Sequence, residues 1–186
     1  MSGMTDKTCA FTDWRTPSKV LDPVRAYFRA CGYEGIELDP ATTDDNPVGA
    51  GVFYTVAQDG LVQPWAPLAT FVNPPYGRGL RNWCAKIGAE ARGGCPLIAL
   101  LPGQRFEQGY FQDSILRPEN LDAIVFIRSR LSFVKPDGSR SKGNPFGSML
   151  YVYNTPGGAE GCKRLETHLA PLGLIMIPGS TIMVQA

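Results

Sequence analysis

The stretch Ala69-Thr70-Phe71-Val72-Asn73-Pro74-Pro75-Tyr76-Gly77 decides how this chain is read. Ala69–Val72 is a short apolar, β-prone run and predicts a strand. The two prolines that follow remove backbone donors and fix φ, so the chain leaves that strand as a stiff turn. Working outward, similar runs bounded by turn residues recur at Ile36–Leu38, Val52–Thr55, Pro96–Leu101, Ala123–Ile127, Leu131–Val134, Met149–Tyr153 and Leu174–Ile177. Between them lie helical patterns. Val20, Leu21, Val24, Tyr27, Phe28 and Cys31 form one, stopped by Gly32, and Leu80, Trp83, Ile87 and Ala91 form another. Gln108–Leu116 and Ala159–Leu169 predict two more. Thr16-Pro17 and Asp22-Pro23 each read as a cap followed by proline, the second marking a kink or restart. Strands alternating with helices predict an α/β fold with a mostly parallel sheet, and the strand-dense end predicts an antiparallel C-terminal edge. In such sheets ligands bind beyond the carboxyl ends of strands, where Asp39, Asp59 and Asn73 fall.

Composition narrows the class. The length of 186 residues fits one domain, 14–186, after a flexible arm over 1–13. The formal net charge is +1, and 21 glycines with 16 prolines argue against a helical bundle. No run is long and apolar enough for a membrane span, and the N-terminus shows no secretory pattern, so no membrane partner and a cytoplasmic setting are expected. Five widely spaced cysteines include no C-x-x-C pair, and His168 is the one histidine, which together predict no metal site. The cysteines read as reduced core thiols, and His168 as a helix residue. Charge is uneven. Glu34–Asp59 holds six acids and no Lys or Arg, whereas Arg128–Lys142 holds five bases against Asp137. These are either solvated faces or sites for a cation and a polyanion.

Asn73 and Pro74 offer two fixed oxygen acceptors, the side-chain amide and the Pro74 carbonyl, which suit an amine carrying two N–H bonds. Tyr76 adds a flat face for a heterocycle. An aromatic amine is a weak nucleophile, and acceptors on both N–H groups stabilise the charge it gains during attack. A rigid surface turn would use the same residues.

Asn73-Pro74-Pro75-Tyr76 resembles the catalytic motif of S-adenosylmethionine-dependent amino methyltransferases. Together with Trp14-Arg15-Thr16-Pro17, Leu38-Asp39-Pro40-Ala41, Asp59-Gly60-Leu61, Trp65, Leu100-Leu101-Pro102, Arg130-Leu131-Ser132-Phe133 and Pro145-Phe146-Gly147-Ser148, in that order apart from the central motif, the chain is similar to the phage-type DNA N6-adenine methyltransferase family. The resemblance implies an abridged Rossmann-like class I methyltransferase fold with helices on both sheet faces. Thr42-Thr43-Asp44-Asp45-Asn46 stands where related enzymes have a glycine-rich turn, and only about 20 residues separate Asp39 from Asp59. By this resemblance Asn73, Pro74, Pro75 and Tyr76 are catalytic. Trp14, Thr16, Pro17, Asp39, Pro40, Ala41, Asp59, Gly60 and Leu61 would bind S-adenosylmethionine. Arg105 in the Gly103–Tyr110 loop, with Arg128, Arg130, Phe133, Lys135, Arg140 and Lys142, would meet DNA. Phe133 fits either an extruded base or the core, and Asp39 and Asp59 fit turn capping equally well. The implied reaction is site-specific methylation of adenine N6 in DNA by a phage or prophage enzyme in a bacterial host. RNA adenine, a protein glutamine amide, or a binding-only relic of the fold are the alternatives. Oligomeric state is open.

Overall fold

The structure, a computed structural model, describes residues 15–135, 138–140 and 146–179. The 1–13 arm, Trp14, Lys142 and Pro145 lie outside the described residues. The first helix, α1, is Ser18–Ala30, followed by strands β1 (Leu38–Asp39), β2 (Val52–Phe53) and β3 (Thr70–Val72). Helix α2 (Leu80–Arg92) and strand β4 (Leu97–Pro102) come next. A short turn α3 (Gly109–Phe111) runs into a π-helical turn at Gln112–Leu116, and β5 (Leu121–Ile127), β6 (Ser148–Tyr153), α4 (Gly158–His168) and β7 (Gly173–Met176) complete the chain.

The seven strands among the described residues form one sheet in the order β2-β1-β3-β4-β6-β5-β7. β2, β1, β3 and β4 are parallel. β6 runs against β4 and against β5, and β7 runs against β5, so the antiparallel edge expected of the C-terminal part is present. Because β5 opposes β6, it points the same way as the parallel set. The carboxyl ends of β1, β2, β3, β4 and β5, and the start of β6, therefore share one sheet edge. The chain passes from β1 outward to β2, then returns to the other side of β1 as β3. In open α/β sheets such a reversal is where ligands bind, in the crevice beyond the strand ends, which here are those of β1 and β3.

Alternation along β4 divides the core. Ile98 and Leu100 join an apolar cluster with Val20, Val24 and Phe28 of α1 and Leu165 of α4. Leu97, Ala99 and Leu101 join a second cluster with Trp83 and Ile87 of α2 and with Phe111 and Ile115. Gly88 is required where α2 crosses the π-helical turn, since a Cβ there would sit 2.4 Å from the Ser114 carbonyl oxygen.

Three local expectations change. Leu131–Val134 is not a strand: Leu131 and Phe133 are buried as alternation predicts, but the backbone pairs only at Val134, with Arg15 and Arg140. Thr16 does not cap α1, because Pro17 occupies the N-cap position and no side chain caps the helix. α1 also runs unbroken through Pro23. Its apolar face, with Val20, Val24, Tyr27 and Phe28 fully buried, outweighs the single hydrogen bond that proline removes. Of the cysteines, Cys84 and Cys95 are core residues, while Cys162 is exposed. Among the described residues no helix is long and apolar enough to cross a membrane, and no group of three or more His, Cys, Asp or Glu is placed to hold a metal ion.

Candidate active site

β3 is buried over its whole length and delivers Asn73 to the carboxyl edge, at the β1/β3 crevice. Pro74 is buried, and Asn73, Pro75 and Tyr76 are partly exposed. The Asn73 amide Nδ2 donates to Thr16 Oγ1 at 3.1 Å, tying the end of β3 to the segment before α1. That use of the amide nitrogen leaves Oδ1 as the side chain's acceptor end. Tyr76 Oη donates to the Leu100 carbonyl at 3.2 Å. Desolvation pushes the Tyr76 phenol far above its ordinary value, so it stays protonated. It is therefore not a base. Phe133, 3% exposed, meets that ring edge-on with centroids 6.4 Å apart and so backs Tyr76 from the core side.

β1 brings Asp39 to the same crevice. Asp39 is 3% exposed, and its Oδ1 accepts from the Ala41 N–H at 3.1 Å. Burial raises its carboxyl to about 6, the Ala41 hydrogen bond only partly opposing it. Beyond β2, Asp59 is exposed, holds a positive φ of 53°, and accepts from the Leu61 N–H at 3.1 Å. Both aspartates thus cap their own turns. The turns also meet: Gly60 lies so close to Pro40 that a Cβ would fall 1.9 Å from the Pro40 carbonyl oxygen. Trp65 Nε1 donates to the Gly60 carbonyl at 2.9 Å and holds that approach from the fully buried side. Asp39-Pro40-Ala41 and Asp59-Gly60-Leu61 are therefore adjacent, although nothing in their spacing announced it.

Two acids of the 34–59 run are engaged within the fold. Glu37 Oε2 accepts from the Ala69 N–H at 2.8 Å and pins the start of β3. Asp45 pairs with Arg15. Asp39 ends β1, and Asp59 stands on the turn that meets Pro40.

The basic residues gather on the same sheet edge. Arg105 follows β4, Arg128 and Arg130 follow β5, and Gly103 N–H bonds the Gly147 carbonyl at 2.8 Å, which draws the segment before β6 alongside. Arg128 and Arg130 are exposed, Arg105 and Lys135 half-buried, and Arg140 exposed. Sequence reasoning missed Arg78 and Arg81, both exposed and directly after the Asn73–Tyr76 turn. Arg81 lies over the Tyr110 ring, 5.6 Å from its centroid. Among the described residues none of Arg78, Arg81, Arg105, Arg128 or Arg130 forms an ion pair. Ser148, the last residue of the Pro145–Ser148 motif, starts β6 at 2% exposed, and among the described residues its hydroxyl has no hydrogen-bond partner.

Comparison with curated proteins finds no match to the chain. The family model described as DNA N-6-adenine-methyltransferase (Dam) matches residues 5–161, a span that takes in both crevice turns, the Asn73–Tyr76 motif and the basic edge, and the chain belongs to that family of DNA adenine-N6 methyltransferases.

Proposed function

We propose that the enzyme transfers the methyl group of S-adenosylmethionine to adenine N6 at the β1/β3 crevice, with Asn73 and Pro74 holding the target amine. The observation that carries this is the placement of Asn73: it ends a buried strand at the topological reversal, its amide nitrogen engaged by Thr16 and its oxygen left to accept. The donor set fits the cofactor. A carboxylate raised to about 6 by burial gains most from an arriving cation, and Asp39 is that carboxylate. Asp59, Gly60 and Leu61 line the adjoining turn, where an exposed carboxylate suits an adenine amine. S-adenosylmethionine, when bound, supplies a methyl group whose bond to sulfur breaks with the electron pair remaining on sulfur.

Asn73 Oδ1 and the Pro74 carbonyl accept the two N6–H bonds and stabilise the positive charge on nitrogen as it attacks. The N6 proton then leaves toward solvent past these acceptors. Tyr76 stacks on the target base, and Phe133 stiffens Tyr76 from behind. Arg105, Arg128, Arg130, Lys135 and Arg140, with Lys142 of the same basic stretch, bind the phosphates on either side, and Trp14 belongs by the family resemblance to the cofactor side. The family match separates DNA adenine from the RNA, protein-glutamine and binding-only alternatives that the residues left open.

The strand order, with four parallel strands and an antiparallel tail, supports an abridged Rossmann-like class I fold over a single 14–186 domain. The two clusters divided along β4 support helices on both faces. The bacterial cytoplasm, where a phage or prophage enzyme meets host DNA, is the implied setting.

Transfer of labelled methyl groups to unmethylated duplex, followed by nucleoside analysis, tests the reading. Label is expected on N6-methyl-2′-deoxyadenosine, and Asn73→Ala is expected to abolish most turnover while still binding cofactor in calorimetry. An Asn73→Ala enzyme with normal turnover would remove Asn73 from the mechanism.

A further inference from the structure

We infer that Phe146 is the wedge of this enzyme, the side chain that enters the DNA base stack and fills the place the target adenine leaves when it is extruded. This rests on the reading that the carboxyl edge of the sheet meets duplex DNA and that Tyr76 stacks on the extruded base.

Phe146 is the one exposed aromatic residue among those described, at 37%. Its backbone is anchored directly after the ring. Ser148 starts β6 opposite Pro102, the last residue of β4, and the Gly103 N–H donates to the Gly147 carbonyl at 2.8 Å. The approach is tight: a Cβ on Gly103 would fall 3.3 Å from that carbonyl oxygen and 2.9 Å from Met149 Cε. The ring therefore stands at the edge to which β3 delivers Asn73. In the order β3-β4-β6-β5, β6 is two strands from β3. At about 4.8 Å per strand, the start of β6 and the end of β3 are about 10 Å apart. β6 also lies between β4, whose end leads to Arg105, and β5, whose end leads to Arg128 and Arg130. The exposed ring thus sits among the arginines assigned to phosphates.

An apolar ring in the middle of a cationic edge gains nothing from a phosphate backbone. It gains by leaving water, and the apolar part of duplex DNA is the base stack, which wedging side chains enter at a step that is being opened. Extruding the target base costs its stacking and its pairing. A ring in the vacated place restores a stacking face to the neighbouring bases and opposes return of the extruded one. Tyr76 cannot supply that second ring. Its hydroxyl is tied to the Leu100 carbonyl and its ring is backed by Phe133, so it stays at the pocket. Two rings on one edge divide the work: Tyr76 takes the base and Phe146 takes the gap.

The test uses a duplex that the parent methylates, and a second copy carrying 2-aminopurine, which fluoresces when unstacked, at the target position. At saturating enzyme and cofactor, Phe146→Ala is expected to lose most of the fluorescence rise seen with the parent. Its single-turnover methylation rate is expected to fall about tenfold to a hundredfold, the range of one base–aromatic stack. Phe146→Leu still offers an apolar wedge and is expected to recover most of both. The ring carries no charge, so the slope of log Kd against log salt should not change. S-adenosylmethionine affinity by calorimetry should stay within about twofold. Mispairing the target adenine lowers the cost of extrusion, so on that duplex Phe146→Ala should return to within about threefold of the parent's rate on the paired duplex.

A parent-like fluorescence rise in Phe146→Ala, a rate loss that Phe146→Leu shares, or a loss that mispairing leaves in place would each overturn the inference. So would weakened DNA affinity with a normal rate and fluorescence at saturation, which would make Phe146 a surface contact only. If the parent places no methyl group on adenine in duplex DNA, the reading of the site has failed. If the parent methylates and Phe146→Ala matches it, the wedge role alone has failed.

Discussion

The substitution Asp39→Asn should make the free enzyme more stable and worse at binding its cofactor. The carboxyl sits 3% exposed at the end of β1, with its ionisation moved from 3.8 to about 6, chiefly by desolvation. Raised from its unfolded value, it binds more protons folded than unfolded between those two values. Stability from this group is therefore fully present below about pH 4 and is lost as pH rises through 6. A difference of about two pH units corresponds to about 3 kcal/mol at pH 8 and about 1 kcal/mol at pH 4.5. The amide introduced by Asp39→Asn would keep the cap on the Ala41 N–H and carry no charge, so the mutant should gain up to those amounts. With a urea slope of about 2 kcal/mol per molar, the midpoint should rise by about 1.5 M at pH 8 and by about 0.5 M at pH 4.5. Calorimetry should show the opposite for the cofactor: affinity of the parent falling about tenfold per unit below pH 6, and the mutant weak and flat with pH. Paired urea titrations across this range isolate Asp39, because every other carboxylate titrates in both proteins. A stability difference that does not change with pH, or a parent affinity flat between pH 5 and 8, would refute the argument.

Three further outcomes follow from the site. Gly60→Ala forces a Cβ to within 1.9 Å of the Pro40 carbonyl oxygen, so the two crevice turns must separate; thermal unfolding should show a loss of about 1–3 kcal/mol, and cofactor affinity should fall with it. Arg128→Ala with Arg130→Ala should lower the slope of log Kd against log salt by about two in filter binding to duplex DNA while leaving cofactor affinity unchanged; an unchanged slope would take β5's end out of the DNA surface. Ser148→Ala removes a buried hydroxyl that has no partner among the described residues, so the free enzyme should be as stable as the parent or more stable by about 1 kcal/mol. A raised KM for DNA in that variant would mean that substrate supplies the missing hydrogen bond.

What could be read from the chain follows from how local its causes are. α2 was legible because Leu80, Trp83, Ile87 and Ala91 mark one face of a single helix, and each of them is buried. β3 and the turn after it were legible because apolar residues and two prolines act on adjacent backbone. Leu131–Val134 misled for the same reason: side chains that alternate into a core look like a strand, but a strand needs a continuous partner, and Val134 finds only Arg15 and Arg140. Thr16 misled differently. Threonine before proline is a local capping signal, yet its hydroxyl is taken by Asn73 from across the sheet edge.

The contacts that make the site are the ones least visible in sequence, and this has a physical reason. A crevice at a topological reversal is assembled from ends of strands that are distant along the chain, so its geometry depends on side chains that do not share a helix face or a strand. Arg15 with Asp45, Gly60 against Pro40, and Thr16 with Asn73 all join segments 20 or more residues apart. Each connects a turn that is stiff on its own to another that is equally stiff. Two prolines fix the Asn73 turn, Pro40 and the Ala41 cap fix the Asp39 turn, and Pro17 with α1 fixes Thr16. Stiff turns lose little further freedom when they dock, so single contacts suffice to hold them in register. Three short contacts between stiff turns can in this way hold Asn73 and Asp39 in fixed relation without a glycine-rich loop between β1 and β2.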